Sequence, residues 1–320
     1  MKAIVVNEAG GTDKLIYQEV DLPKVKANWS LIKIKGFGIN RSEIFTREGE
    51  SPTVLFPRVL GIECVGVIEE TNDSEKLPKG QKVFSIMGEM GRAFDGSYAE
   101  YVAVPNDQIY PVTTNLPWKE LATIPETYYT AFGSMKNLKI IKGDRILVRG
   151  ATSGVGISFL KLLKARYPNL TIDGTSRSQE KKELLLSAGF NAVIIDKNGK
   201  LETEQKYDKI LELIGPATVK DSFKHLNEGG ILCSTGQLGG KWFLEKFDPI
   251  IDIAKNSYLT SFYSDNVSEN KLNELLDYIS KYKVDVKPEK IFKLSEVPLA
   301  HDYLQNQNSF GKVIVLLTGE

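Results

Sequence analysis

The chain is poor in the side chains that most metal and disulfide chemistry requires: in 320 residues it has two cysteines, Cys64 and Cys233, and two histidines, His225 and His301. Each cysteine stands inside an apolar, strand-like run, where a buried and inert thiol is the expectation. A net charge is lacking too. Lys plus Arg and Asp plus Glu both total 41, so no field of one sign favours nucleic acid or an anionic membrane as the main partner. No apolar stretch approaches the ~18 residues of a membrane span. The N-terminus, Met1-Lys2-Ala3-Ile4-Val5-Val6-Asn7-Glu8, enters a short strand and not a long apolar leader, so the cytoplasm is the expected compartment. Internal repeats and low-complexity tracts are also missing. What remains reads as a soluble chain of about two domains, each large enough to bury a core.

The pattern of elements changes along the chain. Residues 1 to about 120 read as short strands broken by Gly and Pro, such as Ser30-Leu31-Ile32-Lys33-Ile34-Lys35 and Gly66-Val67-Ile68-Glu69, which suits a β-rich, partly barrel-like unit. From 121 to about 263, helical runs alternate with apolar strands at 145–148, 170–175, 192–195, 209–213 and 230–234. That alternation predicts an α/β, Rossmann-type, doubly wound parallel sheet. Residues 264–320 hold a helix over 269–282, a strand over 291–294, a helix near 299–305 and a final strand over 311–316. This tail is too short to fold alone and is expected to rejoin the first domain.

The most informative stretch is Arg149-Gly150-Ala151-Thr152-Ser153-Gly154-Val155-Gly156. It follows the apolar Arg145-Ile146-Leu147-Val148 and opens the amphipathic Ile157-Ser158-Phe159-Leu160-Lys161-Leu162-Leu163. Strand, glycine turn and helix in that order cradle a pyrophosphate, because glycines let it approach the backbone and a helix N-terminus attracts its charge. The spacing, Gly150-x-x-x-Gly154-x-Gly156, departs from the usual G-x-G-x-x-G. About 20 residues on, where the fingerprint expects a carboxylate to read the adenosine ribose, stands Thr175-Ser176-Arg177-Ser178. Ser and Arg offer donors and positive charge to a 2′-phosphate, which favours NADPH over NADH. The competing reading makes Arg177 a solvated residue at a strand end. Asp196, after the third strand, sets a carboxylate against a bound phosphate.

The order of segments resembles the medium-chain dehydrogenases/reductases, in their zinc-independent, quinone-oxidoreductase-like branch, over nearly the whole length. The resemblance rests on Gly36-Phe37-Gly38-Ile39-Asn40-Arg41-Ser42-Glu43 with Arg47-Glu48-Gly49, on Pro57-Arg58-Val59-Leu60-Gly61-Ile62-Glu63-Cys64-Val65-Gly66, on Lys79-Gly80-Gln81-Lys82-Val83, and on Gly96-Ser97-Tyr98-Ala99-Glu100-Tyr101. Thr130-Ala131, the glycine turn and Gly311-Lys312-Val313 complete it. It implies a GroES-like catalytic domain over 1–120 and 264–320, and a Rossmann domain over 121–263. The family's alcohol dehydrogenases ligate zinc through a Cys just after the glycine near Gly38 and a His between Gly61 and Glu63. Here Asn40 and Ile62 stand in those neighbourhoods, and neither His225 nor His301 falls in a ligand motif, so no metal is expected.

Without a Lewis acid, alcohol oxidation loses its means of polarising oxygen. Hydride transfer to a quinone or an α,β-unsaturated carbonyl does not need one, since the product oxyanion is delocalised and a few hydrogen bonds stabilise it. By resemblance, Asn40 lies near the nicotinamide with an amide free to donate to the acceptor oxygen; its competing role is that of a turn residue. Phe45 stands where many relatives carry a Tyr, and forms an apolar wall. For the cofactor the resemblance points to Thr130, to Ser153, Gly154, Val155 and Gly156, and to Ser176, Arg177 and Lys181 for the 2′-phosphate. Ile214, Gly215, Thr235 and Gly236 close the fourth and fifth strands, and Lys312 approaches from the returning tail. Tyr258-Leu259-Thr260-Ser261-Phe262-Tyr263 reads as an apolar edge strand, in relatives the seam of a homodimer. Two further functions stay open: a reductase of an activated double bond in an acyl or alkenal metabolite, and a catalytically idle NADPH-binding sensor.

Overall fold

The computed structural model describes residues 1–306 and 310–317. They form two compact units, Met1–Thr127 with Asp265–Asp277 and Val286–Glu320, and Tyr128–Ser264 with Tyr278–Asp285. The sequence reading drew its boundaries at 121 and 264. In the structure the segment Ile124–Tyr128 is a π-helical turn, and the last turn of the helix over Glu269–Tyr282 belongs with the second unit, where Tyr278 donates through its hydroxyl to the Leu162 carbonyl at 3.0 Å.

The first unit is built from β1 (Lys2–Val6), β2 (Leu15–Glu19), β3 (Trp29–Gly38), α1 (Arg41–Arg47), β4 (Arg58–Val59), β5 (Glu63–Thr71), β6 (Lys82–Ile86), β7 (Tyr101–Pro105), β8 (Ile109–Pro111) and α2 (Trp118–Leu121). The second unit supplies α3 (Tyr129–Asn137), β9 (Arg145–Arg149), α4 (Gly154–Arg166), β10 (Thr171–Ser176), α5 (Lys182–Ala188), β11 (Val193–Lys197), β12 (Lys200–Leu201), β13 (Tyr207–Glu212), α6 (Val219–Lys224), β14 (Leu226–Ser234), α7 (Pro249–Asp252) and β15 (Tyr258–Ser261). After α8 (Glu269–Tyr282), the tail adds β16 (Lys290–Lys293), α9 (Val297–Gln305) and β17 (Val313–Leu316).

In the first unit β2, β1 and β4 form one sheet, and a second runs β16-β17-β3-β5-β6-β8 with β7 also on β3. The tail therefore completes the first unit, with β17 antiparallel to β3. Phe37 stacks on Tyr98 with ring centroids 5.1 Å apart inside a core that includes Ile4, Val6, Cys64 and Val315. Each such buried side chain stabilises the unit by about 1.5 to 3 kcal/mol. Cys64 and Cys233 are free and fully buried, and burial pushes both thiols up, so they stay protonated.

The second unit holds parallel strands in the order β11-β10-β9-β13-β14-β15, with β12 antiparallel on β11. β9 is buried on both faces after Arg145, as a central parallel strand must be, which explains its unbroken apolar sequence. The chain lays down β9, β10 and β11 outward on one side, then returns to lay β13, β14 and β15 on the other. The reversal between β9 and β13 is a topological switch point, and ligands of such sheets bind beyond the carboxyl ends there.

Candidate active site

In the first unit four polar side chains converge at the end of β3. Asn40 precedes α1 in an extended conformation, Glu43 lies in the first turn of α1, Glu63 opens β5 and Lys312 leads into β17. The Lys312 ammonium donates to Glu63 Oε1 at 2.6 Å and to Asn40 Oδ1 at 2.7 Å. Asn40 Nδ2 donates to Glu63 Oε1 at 2.8 Å and, at a longer 3.3 Å, to Glu43 Oε1. Glu63 Oε2 accepts the Glu126 amide at 2.8 Å. Gly38 makes the arrangement possible, because a Cβ there would lie 2.2 Å from Lys312 Cε and 2.3 Å from Glu63 Oε1.

The cluster has two carboxylates for one ammonium, and all three are buried. Three kinds of donor converge on Glu63 and occupy both of its oxygens. Among the described residues Glu43 has only the long Asn40 contact and a marginal 3.5 Å approach from the Ile62 amide, and its Oε2 has no hydrogen-bond partner. The proton therefore belongs on Glu43: burial, reinforced by the Glu63 charge, pushes this carboxyl up to about 8.

This geometry corrects two expectations. Both N–H groups of the Asn40 amide face carboxylates and its carbonyl faces Lys312, so no free donor remains for an acceptor oxygen. Lys312 likewise turns its ammonium into the cluster and is only 6% exposed, not held out toward a cofactor. Phe45 is partly buried on α1, with the Arg41 guanidinium 6.0 Å from its ring.

His301, which lies in no ligand motif, is a core histidine with a partner at each ring nitrogen. It is fully buried between Arg47 Nη1, 3.2 Å from Nδ1, and the Tyr98 hydroxyl, 2.9 Å from Nε2. Because a guanidinium only donates, Nδ1 accepts and Nε2–H donates to Tyr98. Burial, with Arg47 adding repulsion, drives His301 down to about 3, so it is neutral.

In the second unit, Gly150 takes φ +88 at the end of β9, and Ser153 caps α4. Its hydroxyl accepts the Gly156 amide at 3.1 Å and donates to the Gly150 carbonyl at 2.8 Å. The first amides of α4, at Gly154 and Val155, have no acceptor within the helix and carry its positive dipole end. Thr175 accepts the Gly150 amide at 3.0 Å, which ties the turn to β10. Ser176 spends its hydroxyl on the Ser178 carbonyl at 2.8 Å and is buried, so it shapes the turn and does not present a free donor. Arg177 is exposed and has no hydrogen bond or ion pair among the described residues, and Lys181 ends a single 3-10 turn.

Ile214 and Gly215 donate their amides to Glu212 Oε1 at 2.8 and 3.1 Å. The Thr235 and Gly236 amides reach the Glu212 carbonyl. Ser134 links the Thr130 carbonyl, 2.8 Å away, to the Thr235 hydroxyl at 2.9 Å. Thr130, Ile214, Gly215, Thr235 and Gly236 are thus joined through Ser134 and Glu212 at the ends of β13 and β14. A glycine turn, a capped helix and an exposed cation at the end of β10 fit a nicotinamide dinucleotide.

The fold and this turn define a nicotinamide-dependent oxidoreductase. The alcohol dehydrogenase GroES-like domain family matches residues 26–114 and the zinc-binding dehydrogenase family residues 188–315. Human quinone oxidoreductase is 30% identical over 250 residues, covering 75% of this chain and 74% of the relative. The quinone oxidoreductase of Coxiella burnetii, of solved structure, superposes with a TM-score of 0.83 at 24% identity over 99% of both chains. A mycobacterial protein solved with NADPH gives 0.82 at 23% identity, again over 99% of both. The chain belongs to the medium-chain dehydrogenase/reductase family, in its quinone-oxidoreductase-like branch.

Among the described residues no three His, Cys, Asp or Glu are grouped to hold a metal ion, and the two expected ligand positions carry an amide and an isoleucine. No described helix is long and apolar enough to cross a membrane.

By resemblance Glu43 stands with Arg41 at the cleft entrance in no catalytic role, and the sequence gives Glu63, Arg47 and Arg149 none. Both carboxylates and both guanidiniums are nevertheless among the buried charges of the fold. A signal was present for two of them: Glu63 interrupts the apolar Leu60 to Val65 run and Arg149 ends Ile146 to Val148. A charge inside a buried strand demands a partner.

Proposed function

We propose that this protein is a cytoplasmic, homodimeric, NADPH-dependent reductase of quinones or other conjugated carbonyls that works without a metal. The observation that carries the reading is the glycine turn that caps α4 with the exposed Arg177 at the end of the adjacent β10, in a chain that has Asn40 and Ile62 where the family's alcohol dehydrogenases carry zinc ligands. NADPH, when bound, supplies the hydride. Gly154, Val155 and the turn from Gly150 to Gly156 hold its pyrophosphate, and Ile214, Gly215, Thr235, Gly236 and Thr130 border it at the switch point. Arg177 pairs with the 2′-phosphate, with Lys181 one helical turn on. Phe45 offers an apolar face to the ring of the acceptor, and Asn40 acts through its fixed place in the ion cluster. Protein groups mainly orient two reactants, which suits an acceptor that is already electrophilic.

The dimer is read from β15, an edge strand with Tyr258 62% and Leu259 41% exposed. An uncovered apolar edge is an aggregation hazard that pairing with a second copy removes. Sedimentation equilibrium tests it; a monomer at micromolar concentration would count against it.

The deciding experiment follows NADPH oxidation by absorbance with a small ortho-quinone as acceptor and a strong chelator present. Turnover undiminished by the chelator supports the reading. Loss of turnover with the chelator, restored by zinc, overturns its metal-free part, and NADPH binding without turnover on quinones or enones overturns the acceptor class.

A further inference from the structure

Arg149 ends β9 directly ahead of Gly150 and is fully buried. Its Nε and Nη2 donate to Asp196 Oδ2 and Oδ1 at 2.8 and 3.0 Å. Its Nη1 donates to Ser222 Oγ at 2.9 Å and to the Thr218 carbonyl at 3.2 Å, with Asp221 Oδ2 also 3.2 Å away. Every nitrogen of the guanidinium is thus engaged inside the fold, so Arg149 is not itself a phosphate ligand. Asp196 follows Ile195, which is in register with Ser176 on the adjacent strand. Its carboxylate therefore belongs to the strand end beside the one that carries the exposed Arg177. The two-pronged pairing draws that carboxylate across β10 to β9 and offsets its charge, the same guanidinium also facing Asp221 Oδ2 at 3.2 Å and Glu212 Oε2 at 4.0 Å; an unpaired Asp196 would oppose a dianion at Arg177.

We propose that Arg149 is a positioning and specificity residue of the cofactor site: by holding Asp196 in a bidentate ion pair, it makes the adenosine end of the sheet tolerant of a 2′-phosphate. The proposal rests on the NADPH reading above.

The test measures dissociation constants for NADPH and NADH, by fluorescence titration at fixed ionic strength, in the wild type, Arg149→Met, Asp196→Asn and the double variant. Arg149→Met is expected to weaken NADPH about tenfold while NADH changes little. The double variant is expected to recover NADPH binding, because the carboxylate has gone. Equal loss of both cofactors in Arg149→Met, or no recovery in the double variant, overturns the proposal and leaves Arg149 a structural residue. Should Arg149→Met fail to fold, Arg149→Lys decides: an ammonium cannot hold Asp196 at both oxygens, so a lower NADPH-to-NADH affinity ratio in this variant supports the proposal and an unchanged ratio overturns it. A wild type that prefers NADH or binds neither cofactor sinks the NADPH reading itself, and the proposal with it.

Discussion

Replacing Glu43 by Gln tests the buried cluster at its least supported member. The folded chain holds this carboxyl at about 8 against 4.5 for an unperturbed glutamate, and Glu43 is 1% exposed, so little solvent screening applies. Below pH 4.5 the group is protonated in both states and folding carries no penalty from it. Above 4.5 the unfolded chain releases the proton and the folded chain retains it, so stability falls by about 1.4 kcal/mol per pH unit until the folded group also titrates. The loss accumulates to about 5 kcal/mol near pH 8, as an upper limit set by relaxation around a buried carboxylate. Glutamine keeps the shape of the protonated acid and cannot ionise. The difference in unfolding free energy between Glu43→Gln and wild type, from urea titrations at pH 5, 6.5 and 8, should therefore grow with pH in favour of the variant. Taking the difference cancels the other titrating carboxylates. A difference that stays constant from pH 5 to 8 would refute the assignment of the proton to Glu43.

Two further outcomes follow from the same structure. Lys312→Met leaves Glu63 buried without its cation and should cost about 3 to 5 kcal/mol, whereas Lys312→Met with Glu63→Gln should recover most of that; thermal unfolding at fixed pH compares them, and an undamaged single variant would show the pair to be dispensable. Arg177→Ala should weaken NADPH by about 1.5 to 3 kcal/mol, as expected for a charge-assisted contact, with NADH little changed; equal effects on the two cofactors in a binding titration would place Arg177 outside the phosphate site.

The parts of the fold readable in the sequence were those set by short-range pattern. The amphipathic period over 269–282 is the helix α8, residue for residue, and the apolar run ahead of Gly150 is the central strand β9. The alternation of strands and helices from 145 onward led directly to the parallel sheet, because both periodicities are local properties of the chain. The ion clusters were not readable, since their members are remote. Lys312 and Asn40 stand 272 positions apart, and Lys312 and Glu63 stand 249 apart. Only folding β17 against β3 brings them together. The same distance misled the expectations for Asn40 and Lys312: a motif says which residue stands at a place, but an amide's free donors depend on what the rest of the fold brings to it. Ser176 shows this on a smaller scale, since its hydroxyl is consumed two residues further on.

His301 and Glu43 make opposite contributions to the pH response of the first unit. His301 is held at about 3 against 6.5, so its contribution to stability is complete above pH 6.5 and is lost as pH falls from 6.5 to about 3, where the unfolded chain gains a proton that the folded one refuses. Glu43 acts in the opposite sense, losing stability as pH rises from 4.5 to about 8. Between 4.5 and 6.5 the two slopes cancel, which predicts a plateau there, a fall above 6.5 and a fall below 4.5 for this pair. Tyr98 feels both groups: its hydroxyl meets His301, and burial, with the charges of Glu43 and Glu63 acting through space, holds it well above the usual phenol range. It stays a neutral hydrogen-bonding partner throughout, so the two slopes are expected to add independently. His301→Gln, which keeps a donor toward Tyr98, should flatten the acid side and leave the alkaline fall. Glu43→Gln should do the reverse, with stability still climbing up to pH 6.5. Nitrogen NMR of the imidazole supplies the direct check: the Nε2–H tautomer should persist unchanged from pH 8 down to 4.5. A resonance that titrates near 6.5 would mean that the Arg47–His301–Tyr98 line does not exclude the proton, and the acid arm of the plateau would disappear with it.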